Sequence, residues 1–312
     1  MIDYIYIMEL LLASENIIRD IKKKVDTLDR SLISHCVINN WDLHDNTISI
    51  IMTSSNRSKQ TYFTLKTIAE SDFKNIHIVL VDDSDIDPID VNILLKTFPF
   101  YIDFISIKRE NKNWTNPVVN YNIGFKYVKG HKVVIQNAEV CHVGDALKII
   151  DSIVKDDNYY AFDVVASKSY EINENIYAHG EKKLHNETTT DIYTKPDLEW
   201  FPLWYQHHTH GNRFLHFFTS MTRKSFEKIK EFSYDYTMGK DNDDDDFVLK
   251  VLSQNINLVC IENEKTGCGG IHLYHQIAYE GYCKNAVSNA PILDYKKKIW
   301  LNEKIYTSIL DL

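Results

Sequence analysis

From Thr47 onward the chain alternates short apolar, β-branched runs with helix-like stretches, and this limits its fold more than any other feature. Ile48–Met52, Ile76–Val81, Ile102–Ile107 and Val133–Ile135 read as strands. Helical patterns fill Gln60 to Glu70, Val91–Thr97, Pro117 through Tyr127, and the stretch from Gly144-Asp145 to Val154. Strand, helix, strand in this order predicts an α/β fold with a mainly parallel sheet flanked by helices. Such sheets bind ligands at the carboxyl ends of their strands, so the polar residues just after each strand are the first to examine.

The second half is less regular. Phe214–Met221 and Leu258–Ile261 read as strands, and Ser225–Phe232 and Asp246–Ser253 as helices. Residues 170–212 are rich in His, Asn, Thr and aromatics and read as loops on the acceptor side of a site. Ahead of the alternation, Ile18, Ile21, Val25, Leu28 and Leu32 recur at three- and four-residue steps, which gives a narrow apolar helical stripe. That helix can fold onto the main domain or pair with a second copy as a homodimer contact. The expected organisation is a helical extension over 1–46, the main domain over 47–290, and a helical tail over 291–312.

A chain of 312 residues with 44% apolar content can bury a sizeable core. Its formal charge of -9 argues against nucleic acid as a partner. The N-terminal apolar run is interrupted by Asp3 and Glu9, and no stretch reaches the length of a transmembrane helix. Five cysteines without a C-x-x-C pair read as reduced thiols, which makes the cytoplasm the expected compartment, or the host cytoplasm for a viral protein.

Four clusters carry chemistry. Asp82-Asp83 closes the second strand, where carboxylates can accept hydrogen bonds from a base or ribose; a turn or N-cap role is the alternative. Gln136-Asn137-Ala138-Glu139 follows the fourth strand, and its oxygens suit Mg²⁺ or Mn²⁺ beside a diphosphate. The run Asp241–Asp246 opens an apolar helix, placing carboxylates at the positive end of its dipole. An EF-hand is excluded there, because loop positions six and twelve hold Asp246 and Leu252 rather than Gly and Glu. Finally, His272 and His275 stand three apart in a Gly-rich segment and can donate to a metal or diphosphate.

Taken in order, these segments resemble family 2 glycosyltransferases of the GT-A, Rossmann-like fold, from about Ser49 to His275. Thr53-Ser54-Ser55-Asn56-Arg57 looks like the family's opening turn, Val81-Asp82-Asp83-Ser84 like its V-D-D-x-S motif, and Asn122-Ile123-Gly124 like its A-R-N-x-G motif. Gln136–Glu139 sits in the slot of the D-x-D metal motif, as in a Q-N-x-E variant, and Gly239–Phe247 resembles the late acidic motif. The resemblance implies a hexosyl- or N-acetylhexosaminyltransferase that uses a nucleotide-sugar donor, a UDP-sugar first, and Mn²⁺ or Mg²⁺. Thr53, Ser55, Arg57, Asp82, Asp83, Asn122, Gln136 and Asn137 would contact the donor, and Glu139, Asn137 and His275 the metal. Asp244 would be the base of an inverting displacement, with Asp243 beside it. Trp204, His207 and His208 would meet a glycan or glycoprotein acceptor. The competing reading is a catalytically degenerate domain that only binds a glycan or nucleotide sugar. A dinucleotide oxidoreductase is excluded, since Thr53–Arg57 contains no glycine.

Overall fold

The computed structural model describes residues 2–180, 204–211, 213–276 and 287–310. Its strands are β1 (Ile33–Ile38), β2 (Ile48–Ser54), β3 (Ile76–Asp82), β4 (Tyr101–Ile107), β5 (Lys132–Asn137), β6 (Val140–Val143), β7 (Asn158–Phe162), β8 (Val164–Ala166), β9 (Trp204–Gln206), β10 (Phe218–Thr222), β11 (Asn257–Ile261) and β12 (Gly269–His272). Eight of them form one sheet in the order β1-β4-β3-β2-β5-β10-β7-β11, and four form a smaller sheet, β6-β12-β8-β9. β4, β3, β2 and β5 are parallel neighbours, so their carboxyl ends share one edge.

Side-chain alternation divides the core into two layers. Ile51, Val79, Val81, Ile105, Val133 and Ile135 face one side. They meet α1 (Ile2–Asp26) through Ile18, Ile21 and Val25, and α4 (Val118–Phe125) through Val118, Val119 and Ile123. Ile50, Met52, Ile78, Leu80, Ile102 and Val134 face the other. There α2 (Ser58–Ala69), α3 (Val91–Thr97) and α5 (Ala146–Ile153) supply Leu65, Ile68, Leu94, Leu147 and Ile150. Helix α4 lies close against the strands because Gly124 lacks a side chain: a Cβ there would stand 2.9 Å from Ile51 Cγ2 and 3.2 Å from Val81 Cγ2.

The N-terminal segment departs from the expected helical extension. The helix ends at Asp26, Leu28 takes a positive φ of 48°, and residues 33–38 become strand β1, antiparallel to β4. The β-branched content of Ile33–Ile38 and the open edge of β4 outweigh a helical spacing that continues through Leu28 and Leu32. Ile18, Ile21 and Val25 are buried in the chain's own core, so the stripe folds onto the main domain.

The C-terminal helix Ala290–Glu303 is fastened by a buried charge. Lys296, 1% exposed, places Nζ 2.7 Å from Asp235 Oδ2 and 3.3 Å from Asp246 Oδ1. Tyr306 donates its hydroxyl to the other Asp246 oxygen at 2.6 Å. Asp246 lies in the first turn of the helix Asp243–Ser253, so the tail braces the element that carries the acidic run.

Candidate active site

A cavity of about 670 Å³ opens at the shared carboxyl edge of the parallel strands, within the size range of small-molecule sites. Asp83, Glu139 and Asp244, from three separated turns, all line it.

The turn after β2 is shaped by Asn56, which adopts φ 55° and accepts the backbone N–H groups of Asp85, Ile86 and Asp87 on its side-chain oxygen. Asparagine tolerates that left-handed conformation, and the bonds tie this turn to the one after β3. Thr53, Ser55 and Arg57 thereby face the cavity. Neighbouring residues at a strand end point to opposite faces, and the two aspartates divide accordingly. Asp83 enters the cavity, held by Arg109 Nη1 at 2.9 Å, Asn120 Nδ2 at 3.1 Å and Lys112. Asp82 turns into the chain, where Ser84 Oγ (2.6 Å) and Ile89 N (2.9 Å) donate to it. Burial pushes its carboxyl above the usual range.

Glu139 occupies the turn between β5 and β6. Antiparallel pairing of β12 with β6 sets His272 opposite Val140, and so beside Glu139. The His272 and His275 Nε2 atoms lie 3.3 and 3.4 Å from Glu139 Oε1, and Arg57 Nη1 lies 2.6 Å from the same oxygen. Glu139 is 1% exposed, and its Oε2 is buried with no hydrogen-bond partner among the described residues. Burial alone would raise this carboxyl, but the Arg57 charge and the two imidazoles hold it well below its usual value. Burial lowers His272, which keeps it neutral. His275 Nδ1 meets the Gln276 carbonyl at 2.9 Å and must donate to it, so a neutral His275 turns the Nε2 lone pair toward Glu139. A lone pair facing a carboxylate oxygen is stable only with a proton or a cation between them. Glu139, His272 and His275 therefore form a donor set with potential ligand atoms within 4.8 Å of one another.

The acidic run lies across the cavity. Asp241 and Asn242 take positive φ values of 64° and 68°, and the helix starts directly after them. Asp243 and Asp244 consequently fall in its first turn and line the cavity. Asn116 donates to Asp243 at 3.0 Å. Burial first, and the charge of Asp244 second, push Asp243 up to about 7. Burial, then the charge of Asp245, push Asp244 up to about 6.

Several expected site residues lie elsewhere. The Asn122 amide is taken up by the Phe232 backbone, at 3.0 Å to its carbonyl and 2.8 Å from its N–H. Gln136 is fully buried and bonds His142 and the Val140 carbonyl. Asn137 does line the cavity, but its oxygen meets the Tyr121 hydroxyl (3.1 Å) and its nitrogen faces Glu139 (3.3 Å), so the amide braces the carboxylate. His208 Nδ1 binds the buried Asp163 at 2.9 Å, and His207 accepts the N–H groups of Thr209 and His210; neither lines the cavity. Trp204 opens β9, but its side chain lies outside the described residues. Conversely, Arg109, Lys112, Asn116, Asn120 and Tyr121 serve the site unforeseen. The segment after β4 held that signal, being polar residues following a parallel strand.

Residues 49–230 match the model described as Glycosyl transferase family 2, and the chain belongs to that family. No curated protein sequence matches it. Among solved structures it is similar to S. aureus TarS 1-349, at 12% identity and TM-score 0.51, covering 82% of this chain and 64% of that one. The same fragment in complex with UDP-GlcNAc gives 14% identity and TM-score 0.52, covering 82% and 66%. The chain thus spans just under two thirds of the length of these structures. Identities this low show the fold alone, a GT-A type α/β fold with a large, mainly parallel sheet. No described helix is long and apolar enough to cross a membrane.

Proposed function

We propose that this glycosyltransferase transfers a hexosyl or N-acetylhexosaminyl group from a nucleoside-diphosphate sugar, UDP-linked first, to a hydroxyl of a glycan or glycoprotein acceptor. The observation that carries the reading is the convergence of Asp83, Glu139 and Asp244 on one cavity of about 670 Å³. Asp83, with Arg109 and Asn120 locking its carboxylate, suits the nucleoside end. Arg57 offers a planar fork of donors to the diphosphate.

The residues present fit a divalent cation. Glu139 is ionised in a buried position, one of its oxygens lacks a partner among the described residues, and two imidazoles adjoin it. Glu139, His272 and His275 would hold Mn²⁺ or Mg²⁺, which would neutralise the charge growing on the departing diphosphate. Asp244, held near the pH at which it must work, takes the proton of the attacking hydroxyl. Inversion follows if the attack is a single displacement. The compartment we propose is the cytoplasm, on the cysteine pattern alone.

The deciding experiment is Asp244→Asn, with donor binding and turnover measured separately. Binding should survive while turnover falls by about a hundredfold or more. Near-normal turnover removes Asp244 from the base role, and absence of any transfer by the wild type across a donor panel favours a binding module.

A further inference from the structure

Four nitrogens crowd a single oxygen at the heart of the cleft. Arg57 Nη1 at 2.6 Å, Asn137 Nδ2 at 3.3 Å, and His272 and His275 Nε2 at 3.3 and 3.4 Å all converge on Glu139 Oε1. The guanidinium is the closest of the four and carries a full positive charge. It shares Glu139 Oε1 with both imidazoles, so a metal that took this oxygen together with His272 and His275 would compete with Arg57 for it.

We infer that Arg57 is a resident counter-cation of Glu139, exchanged for the metal ion when a nucleoside diphosphate enters. The inference rests on the reading of Glu139, His272 and His275 as metal ligands and adds an order to the assembly of the site. Without nucleotide, Arg57 neutralises the buried carboxylate and excludes a second cation by charge and by volume. Arg57 also lines the cavity, at the start of α2, so its side chain can swing from the carboxylate to a phosphate without backbone movement. A diphosphate accepts the guanidinium in a bidentate manner and draws it off Glu139. The carboxylate is then left charged, buried and facing two imidazoles. Metal and nucleotide therefore bind with positive coupling, and linkage makes the coupling equal in both directions. The device prevents the empty enzyme from holding a metal in a half-built site.

The test is titration of Mn²⁺, followed by the paramagnetic resonance signal of the free ion, with and without UDP. The proteins are wild type, Arg57→Gln, Arg57→Lys and Glu139→Gln, each checked for native circular dichroism. In the absence of UDP, Arg57→Gln should bind Mn²⁺ about tenfold more tightly than wild type, within the roughly 5–150-fold range usual for coupled sites. Arg57→Lys, which keeps the charge but loses the planar fork, should fall between them. UDP should tighten Mn²⁺ binding to the wild type far more than to Arg57→Gln. Equal Mn²⁺ affinity of wild type and Arg57→Gln without UDP overturns the exchange, and places the ion on Glu139 Oε2 beside an undisturbed Arg57. Glu139→Gln separates the two levels of the argument. If it loses Mn²⁺ under all conditions the ligand assignment stands whatever Arg57 does, and if it binds like wild type that assignment fails.

Discussion

Asp245→Asn tests the base assignment through the neighbour of Asp244 rather than through Asp244 itself. Asp244 is raised from 3.8 to about 6. Burial is the first cause and the charge of Asp245 the second. Asp245 is 30% exposed and faces Arg213 at 3.4 Å, so solvent and the arginine screen much of its effect. Removing that charge should return roughly half a unit, about 0.7 kcal/mol. The sign follows from the role: a base works only when ionised, so activity falls as pH drops through the raised value. Wild type should therefore show an acid limb in kcat/KM with an apparent midpoint between about 6 and 7, because the Asp243–Asp244 pair titrates together. Asp245→Asn should move that limb to lower pH by roughly half a unit while the plateau stays within about twofold. The profile is measured at saturating Mn²⁺, so that a change in metal occupancy does not contribute. A limb that stays in place, or moves to higher pH, refutes the base role of Asp244.

Glu139→Gln should abolish metal-stimulated donor binding, measured by calorimetry with UDP in the presence and absence of Mn²⁺. Lys296→Met leaves Asp235 and Asp246 buried without their cation and should destabilise the fold by about 3–5 kcal/mol in urea unfolding. Burial already raises the Asp246 carboxyl; without Lys296 it rises further, so the folded state holds the extra proton and the variant's penalty grows as pH rises. Asn122→Ala should cost about 1–3 kcal/mol, because both Phe232 backbone groups lose their partner, and should leave UDP affinity unchanged. A loss of UDP affinity would restore Asn122 to the donor site.

How far the sequence could be read depended on the local physics of each segment. β2 to β5 were legible because central parallel strands are buried on both faces and read as unbroken apolar runs. β6, β8, β9 and β12 are three or four residues long, and β12 begins with two glycines, so no periodicity could emerge. β1 was hidden because the helical spacing of α1 continues through Leu28 and Leu32 after the helix has ended. At the site, motif position identified the right turns and most of the side chains that line the cavity, but not which member of a pair enters it. Asp82 and Asp83 are adjacent at the end of a strand, so they point to opposite faces and Asp83 alone enters the cleft. His272 gains its place through long-range pairing of β12 with β6, which no local pattern announces.

The Lys296 clamp has a temporal consequence. Asp235 and Asp246 leave the ribosome several tens of residues before Lys296, and further still before Tyr306, Ser308, Ile309 and Leu310, which also bond them. Until then the helix bearing Asp243 and Asp244 carries an inward-facing carboxylate without its ion-pair partner, which makes its burial costly. The candidate site is thus completed by residues made late in translation, and a nascent chain that has not yet released them holds an unfinished cleft.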